Sequence, residues 1–112
     1  MDSESLYKLI EEIASERIEN WEVNEYSNNS LELQWESDSL ERDVILNIHT
    51  DTVDVQFAVF FDDHEKNERL WESKDVASVN LEYSSVISES IRSAITDAES
   101  VNKSELEFID KI

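Results

Sequence analysis

The chain has no glycine, no proline and no cysteine in 112 residues. Average usage would place roughly eight glycines and five or six prolines in a chain of this length. Glycine takes positive φ without steric cost and lets a backbone approach a phosphate closely. Its absence excludes a P-loop, a GxGxxG dinucleotide turn and a GxSxG nucleophile elbow. Turns must then be made by Asn, Asp and Ser, whose side chains imitate a backbone turn and tolerate the left-handed region. Without cysteine there is neither a disulfide framework nor a thiolate metal site. No motif for a bound cofactor is left.

Long hydrophobic runs are also missing. The longest spans five residues, Phe57 to Phe61, whereas a membrane-spanning helix needs about 20. The first residues, MDSESLYKLIEE, are acidic where a secretory signal is basic and then apolar, so the expected location is the cytoplasm. The two Asn-x-Ser sequons, Asn28-Asn29-Ser30 and Asn102-Lys103-Ser104, then read as a turn and a helix cap rather than as glycosylation sites.

Basic residues are scarce. Nine Lys and Arg face twenty-eight Asp and Glu, for a formal net charge of -19. Acid is spread through the chain: residues 1–56 carry fifteen acids and three bases, and residues 57–112 carry thirteen and six. Such self-repulsion costs stability in the compact state, so it calls for a physical reason. Three fit: adaptation to high salt, mimicry of a polyanion, or an acidic surface for one basic partner. Direct binding to nucleic acid needs the opposite sign. With 39% apolar residues the chain is no disordered acidic tail. Its length suits one domain, 1–112, with one modest core.

Hydrophobic periodicity supplies the elements. Leu6, Leu9, Ile10, Ile13 and Ile18 form a stripe at helical spacing, which predicts a helix over about 3–20 capped by Asp2 or Ser3. From Trp21 the period becomes two. Strands are expected over about 21–27, 31–37, 43–49 and 52–61, with a turn at SNNS, a loop or short helical turn at SDSLERD, and a tight hairpin at TDT. The stretch from Asp75 to Ser100 fits two patterns. Ala77, Val79, Leu81 and Tyr83 alternate as in a strand, while a helical stripe also runs through it. Leu81 sits badly on that stripe and Ser84-Ser85 reads as a helix start, so a fifth strand over 76–83 and a helix over 85–99 are expected, then a short helix over 104–111 behind an Asn102/Glu105 cap. A sheet and helices that each have one apolar face bury them together. The expected fold is an α+β two-layer sandwich: a meander of four or five antiparallel strands with the N- and C-terminal helices on one face.

The densest ionisable run, FFDDHEKNE at Phe60–Glu68, looks like a metal or catalytic site. In an extended chain Asp62 and His64 share a face while Asp63 and Glu65 oppose them; in a helical turn Asp62 meets Glu65. Neither geometry gathers three ligands, and His49 belongs at the other end of the strand pair. The stretch reads as the solvated end of a hairpin, with Asp62 and Asp63 as charged gatekeepers after an aggregation-prone strand. A catalytic carboxyl needs a pKa raised by burial or a like charge in a cleft. In this reading no glutamate or aspartate falls on an apolar face, and no serine has a positioned base. No catalytic or metal-ligating residue is assigned.

What remains is the wet face of the sheet. Its outward positions include Glu22, Tyr26, Glu32, Glu36, Asp54, Phe60 and Glu82. Same-face neighbours on a strand lie about 6.8 Å apart, close to the repeat of phosphates along a nucleic-acid strand. The expectation is a non-enzymatic binding protein for a basic protein partner, acting as a nucleic-acid mimic that fills the groove of a nucleic-acid-binding protein. Phe60 and Tyr26 would be its apolar anchors; a loop or a second copy of the chain in a homodimer is the other cover for Phe60. The competing expectation is a halophilic cellular protein, such as a homodimeric accessory or chaperone-like subunit. Plentiful isoleucine, scarce alanine and eighteen Glu against ten Asp speak against it. A protein of a virus or mobile element from a salt-loving host would satisfy both.

Overall fold

The computed structural model describes residues 1–27 and 29–110, with backbone alone for 108–110. The elements are α1 (Ser3–Arg17), β1 (Trp21–Ser27), β2 (Ser30–Ser37), β3 (Leu40–Ile48), β4 (Thr52–Asp63), β5 (Glu68–Asn80), α2 (Ser84–Ser100) and α3 (Lys103–Asp110). The strands form one antiparallel sheet in the order β1-β2-β3-β4-β5. Helix α1 lies against β1 and β2, α2 against β3, β4 and β5, and α3 against β5. This is the expected α+β meander with its helices on one face. Asn28 of the SNNS turn and Lys111 at the end of the last expected helix lie outside the described residues.

The core forms between the layers because alternation on the strands meets helical stripes. Leu31, Leu33, Trp35, Val44, Leu46, Val53, Val55, Phe57 and Val59 pack against Leu6, Ile10, Ile13, Ile87, Ile91 and Ile95. Asp2 caps α1, its side chain accepting from the Ser5 amide at 2.8 Å. That amide donation holds the Asp2 carboxyl below its ordinary pKa. Asn102 does the same for α3, accepting from the Glu105 amide at 2.9 Å.

Turn chemistry without glycine is visible in the backbone. Asp38 and Ser39 have φ of 52° and 68°, and Ser37 pairs with Leu40 across them. Two consecutive positive-φ residues are the signature of a two-residue type I′ hairpin, usually filled by Asn-Gly. The SDSLERD segment is therefore a hairpin and the start of β3, not a loop or helical turn. The charged ERD triplet hides the strand from sequence reading, although Arg42 and Asp43 are both buried in it. Asn67, φ 53°, closes the β4–β5 hairpin, where Asp63 accepts from the Glu65 and Lys66 amides. The FFDDHEKNE stretch is thus the end of a hairpin, as expected.

Two other boundaries move. Helix α1 ends at Arg17, three residues before the expected end. Strand β5 begins at Glu68 and ends at Asn80, so it starts eight residues earlier than expected and stops three short. A bulge explains why its first half was missed. Val55 pairs with Ala77 but Gln56 pairs with Asp75, leaving Val76 as the extra residue. Leu70 and Val79 therefore both reach the core side despite their odd separation, and no single period of two runs through the strand. Beyond the bulge, the core-side positions carry Glu68, Glu72 and Lys74 alongside Leu70.

Candidate functional site

The open face of the sheet is built from alternate residues of five strands. Register places Glu36 opposite Glu41, Glu41 opposite Phe60, and Phe60 opposite Trp71 in one row. The next row runs Glu22, Gln34, Asp43, Ala58 and Ser73, and the one after it Asn24, Glu32, Ile45, Gln56 and Asp75. A fourth joins Ser30, Asn47, Asp54 and Ser78. Of the residues expected on this face, Glu22, Tyr26, Glu32, Glu36, Asp54 and Phe60 belong to it. Glu82 does not: it lies in the turn after β5, where its amide donates to the Asn80 side chain at 2.8 Å. The strand expected to carry it ends at Asn80.

The carboxylates are not the even lattice that strand spacing suggests. Gln34 separates Glu32 from Glu36, Asn47 and Ser78 flank Asp54, and Ile45 fills the centre of its row. Side-chain amides stitch the β1–β2 region: Asn24 donates to Gln34 at 2.9 Å and Gln34 donates to Glu32 at 2.8 Å. At the other end His49 Nε2 lies 2.8 Å from Asp54 Oδ2. Hydrogen bonding from Ser78 and then from His49 holds Asp54 below the ordinary carboxylate range.

The aromatic row has its own character. Trp71 is 58% exposed, a large apolar surface left in water on a sheet face. The Arg69 guanidinium lies 4.2 Å from the centre of the Phe60 ring. It also reaches Glu41 and Asp62, each at 3.4 Å. Phe60 therefore faces the open side, as expected, but its cover is a cation from the neighbouring strand rather than a loop. Trp71 was missed because β5 was expected to begin after it; its alternation with Leu70 was the available signal.

Sequence reading also missed Asp43. It is 2% exposed, on the side of the sheet away from the helices, between Gln34 and Ala58. Its Oδ1 is buried without a hydrogen-bond partner among the described residues. Burial first, then the Glu32 carboxyl beside it and the charge of Glu41, push its pKa up to about 8, with Arg69 opposing. The expectation that no Glu or Asp falls on an apolar face leaves this case out: Asp43 is on the open face, where neighbours on the adjacent strands desolvate a short acid as a core does. Glu32 also holds the Tyr26 hydroxyl above the usual tyrosine range, with smaller contributions from burial, Asp43 and Glu22.

A neutral carboxyl beside a second one is the raw material of acid–base chemistry. Such chemistry also needs a concave place for substrate. The groove beside this cluster, ≈ 530 Å³, is lined by Asn20, Trp21, Glu22, Gln34, Trp35, Glu36 and Glu41 and leaves Asp43 outside. Among the described residues no three of His, Asp and Glu converge as metal ligands. Among the described residues no helix is long and apolar enough to cross a membrane. What the open face offers is negative charge and exposed aromatic surface; the groove straddles the strand ends, with the open-face Glu22, Glu36 and Glu41 meeting the core-side Trp21 and Trp35. No protein-family model matches this chain, and no curated protein or solved structure matches it either.

Proposed function

We propose that this chain is a small non-enzymatic binding protein that works inside the cell and engages a basic protein through the open face of its sheet. In its sharper form the reading is inhibition: the face occupies the groove of a nucleic-acid-binding protein in place of the polyanion. The observation that carries it is the Phe60–Trp71 row standing among Glu36, Glu41 and Asp62 on a face that no helix covers. Tryptophan is enriched among the residues that carry the binding energy of protein interfaces. The surrounding carboxylates supply steering toward a basic surface.

The test uses this chain as bait in its native host and then measures the captured partner. Affinity should fall roughly tenfold or more between about 50 and 300 mM salt. Alanine at Glu32, Glu36 and Asp54 together should weaken binding far more than alanine at Glu4, Glu11 and Glu12 on α1. Flat salt dependence, or equal losses from the two triple variants, would remove the reading.

A second reading has its own observation. Acid is also dense away from the sheet, where Glu4, Glu12, Glu16, Glu89, Asp97 and Glu99 are exposed on the helices. High-salt adaptation accounts for that distribution directly. A halophilic protein should unfold as KCl is removed, since screening of self-repulsion holds it together. Equal melting temperatures in dilute buffer and in molar KCl would dispose of it.

A further inference from the structure

An unpaired oxygen on a fully buried carboxyl is an unfinished interaction. Asp43 stands between Gln34 and Ala58 with the Glu32 carboxyl beside it, on the sheet face opposite the helix-packed core. Its electrostatic surroundings are one-sided. Glu32 touches it from β2, Glu41 is two residues away on β3, Tyr26 and Glu22 approach from β1, and the single guanidinium on this face, Arg69 of β5, is engaged by Glu41, Asp62 and Phe60. Among the described residues Arg69 is the one cation that acts on Asp43, and it is shared with Glu41, Asp62 and the Phe60 ring.

We propose, building on the basic-partner reading above, that Asp43 and Glu32 anchor an arginine side chain of the bound protein at the centre of the open face. Two observations select arginine over lysine. The chain's own Arg69 already shows the arrangement, a guanidinium stacked on Phe60 while its edge meets carboxylates. Asp43 and Glu32 offer a close carboxyl pair, which suits the planar fork of a guanidinium better than a point-like ammonium. An incoming guanidinium replaces the proton that keeps Asp43 neutral in the free protein, so binding releases that proton to solvent. Charge balances: one positive charge enters the cluster and one leaves.

Calorimetry with a capped hexa-arginine peptide and a capped hexa-lysine peptide tests this at pH 7 and low salt. Titrations in two buffers of different ionisation heat count the protons released. Hexa-arginine should bind roughly tenfold tighter than hexa-lysine and release about one proton per complex. In Asp43→Asn the proton release should vanish and the preference for arginine collapse. Glu32→Gln should lose the preference too, which guards against a folding artefact in either variant. Binding of hexa-arginine that is equally tight in Asp43→Asn overturns the anchor and leaves the open-face reading standing. Failure of both peptides to bind, or binding undone equally by alanine at Glu4, Glu11 and Glu12, overturns the two together.

Discussion

Arg42 and Asp43 are neighbours on β3, and they point to opposite faces of one sheet. Both are almost wholly buried. Arg42 faces the helices and is saturated: its guanidinium donates to the Ala98 carbonyl, to the Val101 carbonyl at 2.8 Å and to the Ser37 hydroxyl at 2.6 Å. Helix α2 ends without glycine and has no basic residue in its last turn, so the cap comes from a strand instead. Asp43 faces the open side and keeps an orphan oxygen. The same degree of burial therefore has two meanings. On the covered face it completes a helix terminus, and on the open face it leaves a charge deficit that only protonation or a partner can resolve.

Removing the saturated member should have the larger effect. Arg42→Met keeps much of the apolar stem but leaves the α2 terminal carbonyls without their donor, and should cost roughly 3 to 5 kcal/mol in denaturant unfolding. A loss below about 1 kcal/mol would mean that water caps the helix equally well. The unsaturated member should show the opposite sign. Because the folded-state pKa of Asp43 lies above the unfolded value, its effect on stability is nil at acid pH. It grows unfavourable as pH rises from about 4 toward 8, by up to about 1.4 kcal/mol per pH unit. Asp43→Asn should therefore match the natural protein near pH 4 and melt higher above pH 8. Curves that stay parallel across that range would contradict the buried, proton-bearing carboxyl.

A smaller effect is expected at the turn that leads into this pair. Ser39 adopts φ 68°, which costs a side-chain-bearing residue about 1 kcal/mol relative to glycine. Ser39→Gly should stabilise the β2–β3 hairpin by roughly 0.5 to 1 kcal/mol, since I′ turns favour glycine there. Destabilisation instead would show that Ser39 contributes more than its backbone shape. The smallest change should come from Trp71→Ala. With more than half its surface exposed, it should alter stability by less than about 1 kcal/mol, yet weaken partner binding by tenfold or more. A large loss of stability with unchanged binding would reassign Trp71 from the open face's function to the sheet's integrity.

Legibility followed local pattern. The meander, the two long helices and the outward direction of Phe60 were readable because alternation and helical spacing ran unbroken through those segments. Strand β5 was half hidden because the Val76 bulge reverses its parity and its distal core-side positions are charged. The start of β3 was hidden because buried Arg42 and Asp43 look like loop residues. Glu82 lies off the open face because β5 stops at Asn80, although the alternation through Leu81 and Tyr83 continues past it. Six of the seven open-face positions survived since strand direction is a matter of counting by two. Asp43 was overlooked since desolvation depends on what lies on the adjacent strands.

By itself the sequence determined the class of fold, the sign and spread of charge, and the burden placed on Asn, Asp and Ser at turns. These depend on residue type and on periods of two and 3.6, which any stretch of chain carries within itself. Tertiary structure alone decided that Arg42 caps α2, that Asp43 loses its water, and that Trp71 stands beside Phe60. Each of those follows from register between strands distant in sequence, and register is a property of the assembled sheet.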